Sequence, residues 1–280
     1  MTVTSRVLVF LTTLLLLCVP ARAADWPTKA VTIIVPFGAG GNTDMMARLA
    51  AQHLTEKFGQ PFVVENRPGA GGALATGAVA TSAADGYTLL FSAAANIVLT
   101  PQVQKLNFDP LKQLAPITNM GTGTQMVAIN NDLPVKTLPE FIAYAKANPG
   151  KLNFSVAGTN NISHLAPMLL FARAGIELVM VPAKSEPLAI ADIIAGQTNF
   201  YFGNSSSLLP QVRAGKLRVI AVGTAERIPA APEVPPVADT LPGFQFASWN
   251  GFSAPTATPD AITAAIGKEV AAFAKSPAIS

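Results

Sequence analysis

Cys18 is the only cysteine in this chain, and it lies inside an apolar run near the N-terminus. Beyond that run there is no thiol for a disulfide framework, a nucleophile or a cysteine-ligated metal. Histidine is nearly as scarce: His53 and His164 are too few and too scattered to make a metal-ligand cluster, and no cofactor is implied. Charged residues make up only 12% of the chain, and no run of Lys and Arg interleaved with aromatics occurs. Nucleic acid is therefore excluded as a partner. After the N-terminal run, no long uninterrupted apolar stretch offers a membrane span.

What is present at the start is Arg6, an apolar run from Val7 to Leu17, and the small-residue signal Ala21, Arg22, Ala23. Residues 1–23 fit a cleavable signal peptide, with export to the periplasm. A lipid anchor at Cys18 is disfavoured because Leu17 is bulky where such sites want a small residue. Removing Arg6 and Arg22 leaves 17 basic against 16 acidic residues, a net charge near +1, so the high isoelectric point says little about partners.

The segment from Val35 to Asp44 turns an apolar strand, Val31 to Val35, into a helix from Met45 to Phe58 through Gly38, Gly40 and Gly41. Asn42, Thr43 and Asp44 are suited to the helix start, and Gly59 and Pro61 to its end. Bare backbone amides at a helix N-terminus favour an anion, so the loop is either a carboxylate or phosphate seat or a tight turn with no ligand. The spacing matches neither the P-loop nor GxGxxG, so a nucleotide is not indicated.

Strands and helices alternate from there on. Strands are expected at Phe62–Glu65, Tyr87–Phe91, Met126–Ile129, Leu152–Val156, Leu178–Val181, Asn199–Phe202, Leu217–Val222 and Trp249–Ser253. The intervening helices include Leu138–Ala147, marked by a capping-box pattern at Thr137 and Glu140, and Ser163–Ala174. The segment Leu106–Pro116 is expected to be irregular. Alternation at this spacing implies an α/β fold with mainly parallel sheets. A late segment returning to the first half implies two lobes around a cleft: 24–121 with 226–280, and 122–225. Rotation is expected about Ile117–Gly123 and Val222–Ala225. Ligands of such sheets sit beyond the carboxyl ends of strands, which brings the loops holding Lys184 and Asn204 to the cleft.

The motifs VPFGAGGNTDMMAR, VVENRPGAGG, ADGYTLLFS, FDPLKQLAPIT, SVAGTNNISHLA and IAGQTNFYFGN resemble the Bug-type periplasmic receptors of tripartite tricarboxylate transporters, from about Trp26 onward. The resemblance implies a two-lobed Venus-flytrap fold that closes on small carboxylates, with permease subunits as membrane partners; a monomer and a small carboxylate or amino-acid-like ligand are expected. It implies a first-lobe seat of Phe37, Gly40, Gly41, Thr43 and Asp44, a wall at Ser92 and Ala93, and a second-lobe seat of Ala157, Gly158, Thr159 and His164. Asp44 is expected to hold the loop rather than touch an anion, because two carboxylates repel.

Three departures stand out. Where the family usually has Tyr, Lys, Gly and a small residue after Pro182, this chain has Ala183, Lys184, Ser185 and Glu186. Losing an aromatic wall while gaining a carboxylate enlarges the pocket or admits a cationic group, and Glu186 leads to the expectation that zwitterions bind better than plain dicarboxylates. Gly203 stands where the family often has Asp. Family members commonly continue well past Ser280, so the C-terminus is expected to be truncated. Two rivals remain: a ligand sensor feeding a membrane signalling partner, and a secreted hydrolase built on Ser163 and His164. The second is opposed by geometry, since adjacent helical residues point about 100° apart, and the chain is expected not to be an enzyme.

Overall fold

The computed structural model describes residues 26–276, so the expected signal peptide lies outside the described residues. In chain order the elements are β1 (Val31–Val35), α1 (Asn42–Phe58), β2 (Phe62–Asn66), α2 (Ala73–Ala80), β3 (Thr88–Ala93), α3 (Thr100–Val103), α4 (Pro110–Gln113), β4 (Leu114–Ile129) and α5 (Leu138–Ala147). They continue with β5 (Asn153–Ala157), α6 (Ile162–Ala174), β6 (Val179–Ala183), α7 (Glu186–Ile194), β7 (Phe200–Asn204), α8 (Ser205–Arg213), β8 (Arg218–Val222), β9 (Ala247–Pro255) and α9 (Asp260–Phe273).

Two sheets share strand β4. In the first, β2, β1 and β3 run parallel, and β9 lies antiparallel between β3 and β4. In the second, β6, β5 and β7 run parallel, and β4 lies antiparallel between β7 and β8. Leu114 to Thr124 serve the first sheet and Gln125 to Ile129 the second, which makes β4 one 16-residue beam through both lobes. Only its apolar end, Met126–Ile129, is plain in the sequence. The remainder carries Pro116, Gly121 and Gly123, and its register shifts at Pro116/Thr118 and Asn119/Gly121 break the two-residue period that marks a strand.

Each lobe buries its own apolar faces. The first-lobe core packs Val31, Ile33 and Val35 of β1 with Ala47, Ala50 and Leu54 of α1 and with Ile266 and Val270 of α9; the Phe91 and Phe252 rings meet edge to face at 5.0 Å. Fully burying side chains of this size contributes about 1.5–3 kcal/mol each. The second lobe holds a Phe-rich layer of Phe141, Phe154, Phe171, Phe200 and Phe202, and a second layer around Tyr201 and Ile190.

The return to the first lobe comes later than expected. Residues 226–246 pack on the second lobe, where Ala231, Val234, Val237 and Phe244 are buried in its cores and Val222 bridges Pro236. The Pro-rich composition hides these anchors because they fall singly between prolines. Gly223 donates its N–H to the Gln125 carbonyl at 2.7 Å and accepts from Phe246 N–H at 2.7 Å, so the chain re-enters the first sheet at 246–248 rather than at 222–225.

Candidate functional site

Four helix N-termini from both lobes meet at one cavity of about 80 Å³ between the sheets. They are those of α1 (Gly41 to Asp44), α6 (Asn161 to Ser163), α7 (Ser185 and Glu186) and α8 (Asn204). Phe37, Gly38, Ala93, Gln125, Ala157, Tyr201 and Ser248 complete the main walls. Because the first N–H groups of a helix have no intrahelical partner, each of these ends points donors and a partial positive charge at the cavity.

Asp44 organises the first-lobe loop. Its side chain is buried and accepts from Gly40 N–H at 2.9 Å, Arg48 Nε at 3.0 Å and Asn66 Nδ2 at 2.9 Å. Asn66 in turn donates to the Phe37 carbonyl at 3.1 Å, fixing both ends of the turn. Burial pushes the Asp44 carboxyl up, but the hydrogen bonds from Arg48, Gly40 and Asn66 outweigh it and hold the group below its ordinary range. The folded value is the lower one, so this stabilisation is present at neutral pH and lost as the pH falls through about 4 and below. Asp44→Asn is expected to lower stability by about 1–2 kcal/mol at pH 7. In urea unfolding that gap should narrow progressively as the pH falls below about 4; a gap unchanged with pH would refute the assignment.

The lobes touch along two seams. On one, a Cβ at Gly38 would lie 3.0 Å from both Lys184 O and Ser185 Cβ, and Ser206 Oγ donates to Asn42 Oδ1 at 2.7 Å. On the other, Thr100 Oγ1 donates to Gly71 O at 2.8 Å and stands 3.4 Å from Asn160 O.

Glu186 spans the first seam. Its carboxylate is buried and accepts from Asn42 N–H of α1 at 3.1 Å, from Asn204 N–H at 3.2 Å and from Asn204 Nδ2 at 3.1 and 3.2 Å. Tyr201, fully buried behind it, hydrogen-bonds it through the hydroxyl, whose pKa is pushed well up by burial and then by the Glu186 charge. A Cβ at Gly203 would run into the Tyr201 ring, so the bare backbone there is what lets the phenol stand behind Glu186.

The residues singled out in the sequence divide into two groups. Phe37, Gly41, Thr43, Asp44, Ala93, Ala157 and Asn204 line the cavity; Gly40, Ser92, Gly158, Thr159, His164 and Lys184 do not. Strand alternation turns Ser92 inward, where its Oγ bonds Ser253 Oγ at 2.7 Å. Lys184 and Thr159 are exposed. The His164 ring turns back to accept Asn160 N–H at 3.2 Å, with burial holding its pKa below the ordinary value. Ser163 Oγ accepts from Ala157 N–H and donates to Asn161 Oδ1, both at 2.8 Å, and so shapes the loop after β5. Arg67 pairs with Glu65 at 2.6 Å on the surface. Gln125, Asn161, Tyr201 and Ser248 were not singled out, because neither charge nor glycine spacing marks them.

Among the described residues there is no group of three His, Cys, Asp or Glu that could hold a metal, and no helix is long and apolar enough to cross a membrane. The sequence model of the family described as "Tripartite tricarboxylate transporter family receptor" matches residues 46–280. Protein BugT of Bordetella pertussis is 34% identical over 266 residues, covering 93% of this chain and 81% of that protein. A solved R. palustris protein with adipate superposes with a TM-score of 0.85 at 33% identity, covering 91% of this chain and 86% of that one. The periplasmic binding protein BugD superposes with a TM-score of 0.85 at 29% identity, covering 91% and 85%. The family is described as one of receptors and BugD as a periplasmic binding protein, not as enzymes, which removes the hydrolase reading. The two-lobed fold, the match along most of the chain and the relatives' shared identity agree: this chain belongs to the tripartite tricarboxylate transporter receptor family.

Proposed function

We propose that this receptor, exported to the periplasm with loss of residues 1–23, captures a small carboxylate-bearing metabolite between its lobes and presents the closed form to permease subunits of a tripartite tricarboxylate-type transporter. The observation that carries this reading is the meeting of four helix N-termini at one interlobe cavity. One terminus favours an anion by only about 0.3–2 kcal/mol, whereas micromolar affinity needs about −8 kcal/mol. Several donors acting together in a site closed to water are therefore required, and an interlobe cavity supplies them. Adipate in the R. palustris relative supports a carboxylate as the guest. A cavity of about 80 Å³ favours a short one, since pockets for drug-sized ligands run to about 300–1,000 Å³.

Within this reading, Phe37, Gly41, Thr43, Ala93, Ala157 and Asn204 face the solute. Gly40, Asp44, Ser92, Gly158, Thr159 and His164 hold the loops that do, and Lys184 stands at the rim. A thermal-shift panel of short mono- and dicarboxylates and amino acids, followed by calorimetry on the hits, tests it. At least one acid is expected to raise the melting temperature by several degrees and bind with one-to-one stoichiometry. A panel of short acids with no shift throughout would defeat the carboxylate reading.

A further inference from the structure

We infer that Glu186 occupies the first-lobe anion seat itself and thereby makes the site selective for a solute with one carboxylate and one cationic amino group. The inference rests on the receptor reading above and names the class of solute. The amide of Asn42, which heads α1, donates to Glu186 Oε2 at 3.1 Å, so the first of the donors that the glycine loop offers to an anion is already engaged by a carboxylate from the opposite lobe. Asn204 adds its main-chain and side-chain donors to the same carboxylate. One amide of the α1 terminus and the N-cap donors of α8 are thus engaged by the chain's own charge. The α6 end, with the amides of Ile162 and Ser163, is left for the solute's carboxylate.

The charge count around the cavity sets the other end of the solute. Two carboxylates line it, Asp44 and Glu186, and no Lys, Arg or His does. Asp44 is balanced by Arg48 at 3.0 Å; no cation lies within ion-pair distance of Glu186 among the described residues. A second carboxylate on the solute would meet this buried charge with nothing to offset it, whereas an ammonium group would pair with it. Gly203 and Tyr201 belong to the same device, because the missing Cβ at 203 admits the phenol that backs Glu186. Glu186, Tyr201 and Gly203 therefore act as one unit.

The test is calorimetry with succinate and 4-aminobutyrate, which differ in carrying a carboxylate or an aminomethyl group at one end. The unaltered chain is expected to bind 4-aminobutyrate at least about tenfold more tightly than succinate. In Glu186→Gln, which keeps the side-chain shape, the order should reverse, with succinate gaining and 4-aminobutyrate losing about tenfold each. Wild-type preference for succinate overturns the inference while leaving the receptor reading intact. An equal loss for both probes in Glu186→Gln also overturns it, since Glu186 would then be a lobe latch without influence on solute charge. If neither probe nor any other short acid binds the unaltered chain, the receptor reading fails and this inference with it.

Discussion

Replacing Gly41 with aspartate is expected to weaken solute binding by at least about 100-fold, equivalent to about 2.7 kcal/mol, without lowering the stability of the free protein. Gly41 is the N-cap of α1 with φ −78° and ψ 168°, an extended backbone that aspartate adopts readily, and aspartate is among the preferred N-cap residues. The isolated lobe therefore loses nothing. Closure is what suffers: a Cβ at this position lies 3.5 Å from Glu186 Oε2, so the new carboxylate would be pressed against the one that bridges the lobes. Two carboxylates about 4 Å apart repel by about 4 kcal/mol at an effective dielectric of about 20, and that repulsion exists only in the closed form. Calorimetry with whichever acid the unaltered chain binds, beside a melting curve of the free protein, separates the two effects. Retained affinity would remove the α1 terminus from the site; a lowered melting temperature would show that the loop was misread.

Gly251→Val is expected to be the most damaging single change in the fold. Gly251 lies in β9, opposite Ser92 of β3 and Asn119 of β4, and a Cβ there would run into the Thr118 carbonyl. The obstacle is backbone in the strand that joins the two lobes, so it cannot yield by a side-chain rotation. Relief requires β9 to part from β4. A loss above about 3 kcal/mol follows, or a fall in melting temperature of about 6–12 °C for a chain of this length. Circular dichroism melts measure it, and a shift under about 2 °C would mean that β4 and β9 are less tightly registered than their pairing implies.

Local signals in the sequence carried the alternation of elements well. Helix α5 begins and ends where expected because Thr137 and Glu140 form a capping arrangement, with Glu140 N–H donating to Thr137 Oγ1 at 3.3 Å. Helices α1 and α6 end at Gly59 and Gly175, each in the left-handed conformation that a bare backbone permits. The first half of β4 was not legible, since its bulges erase the alternation that would have revealed it. The wide helical turn at Ala95–Leu99 was missed too, being too short to show a period. At the site, the helix starts could be read from the chain. The bond from Asn42 to Glu186 could not, because no local pattern encodes a contact 144 residues apart.

The position of β9 has a consequence for the order in which the chain can fold. Strands β3 and β4 do not pair with each other; the slot between them is filled by residues 247–255, which are made after the whole second lobe. Until those residues emerge, the first sheet has two unsatisfied inner edges and its hydrophobic layer lacks the cover of Ile266 and Val270. A nascent chain therefore cannot complete its first sheet until residues near its C-terminal end have been made.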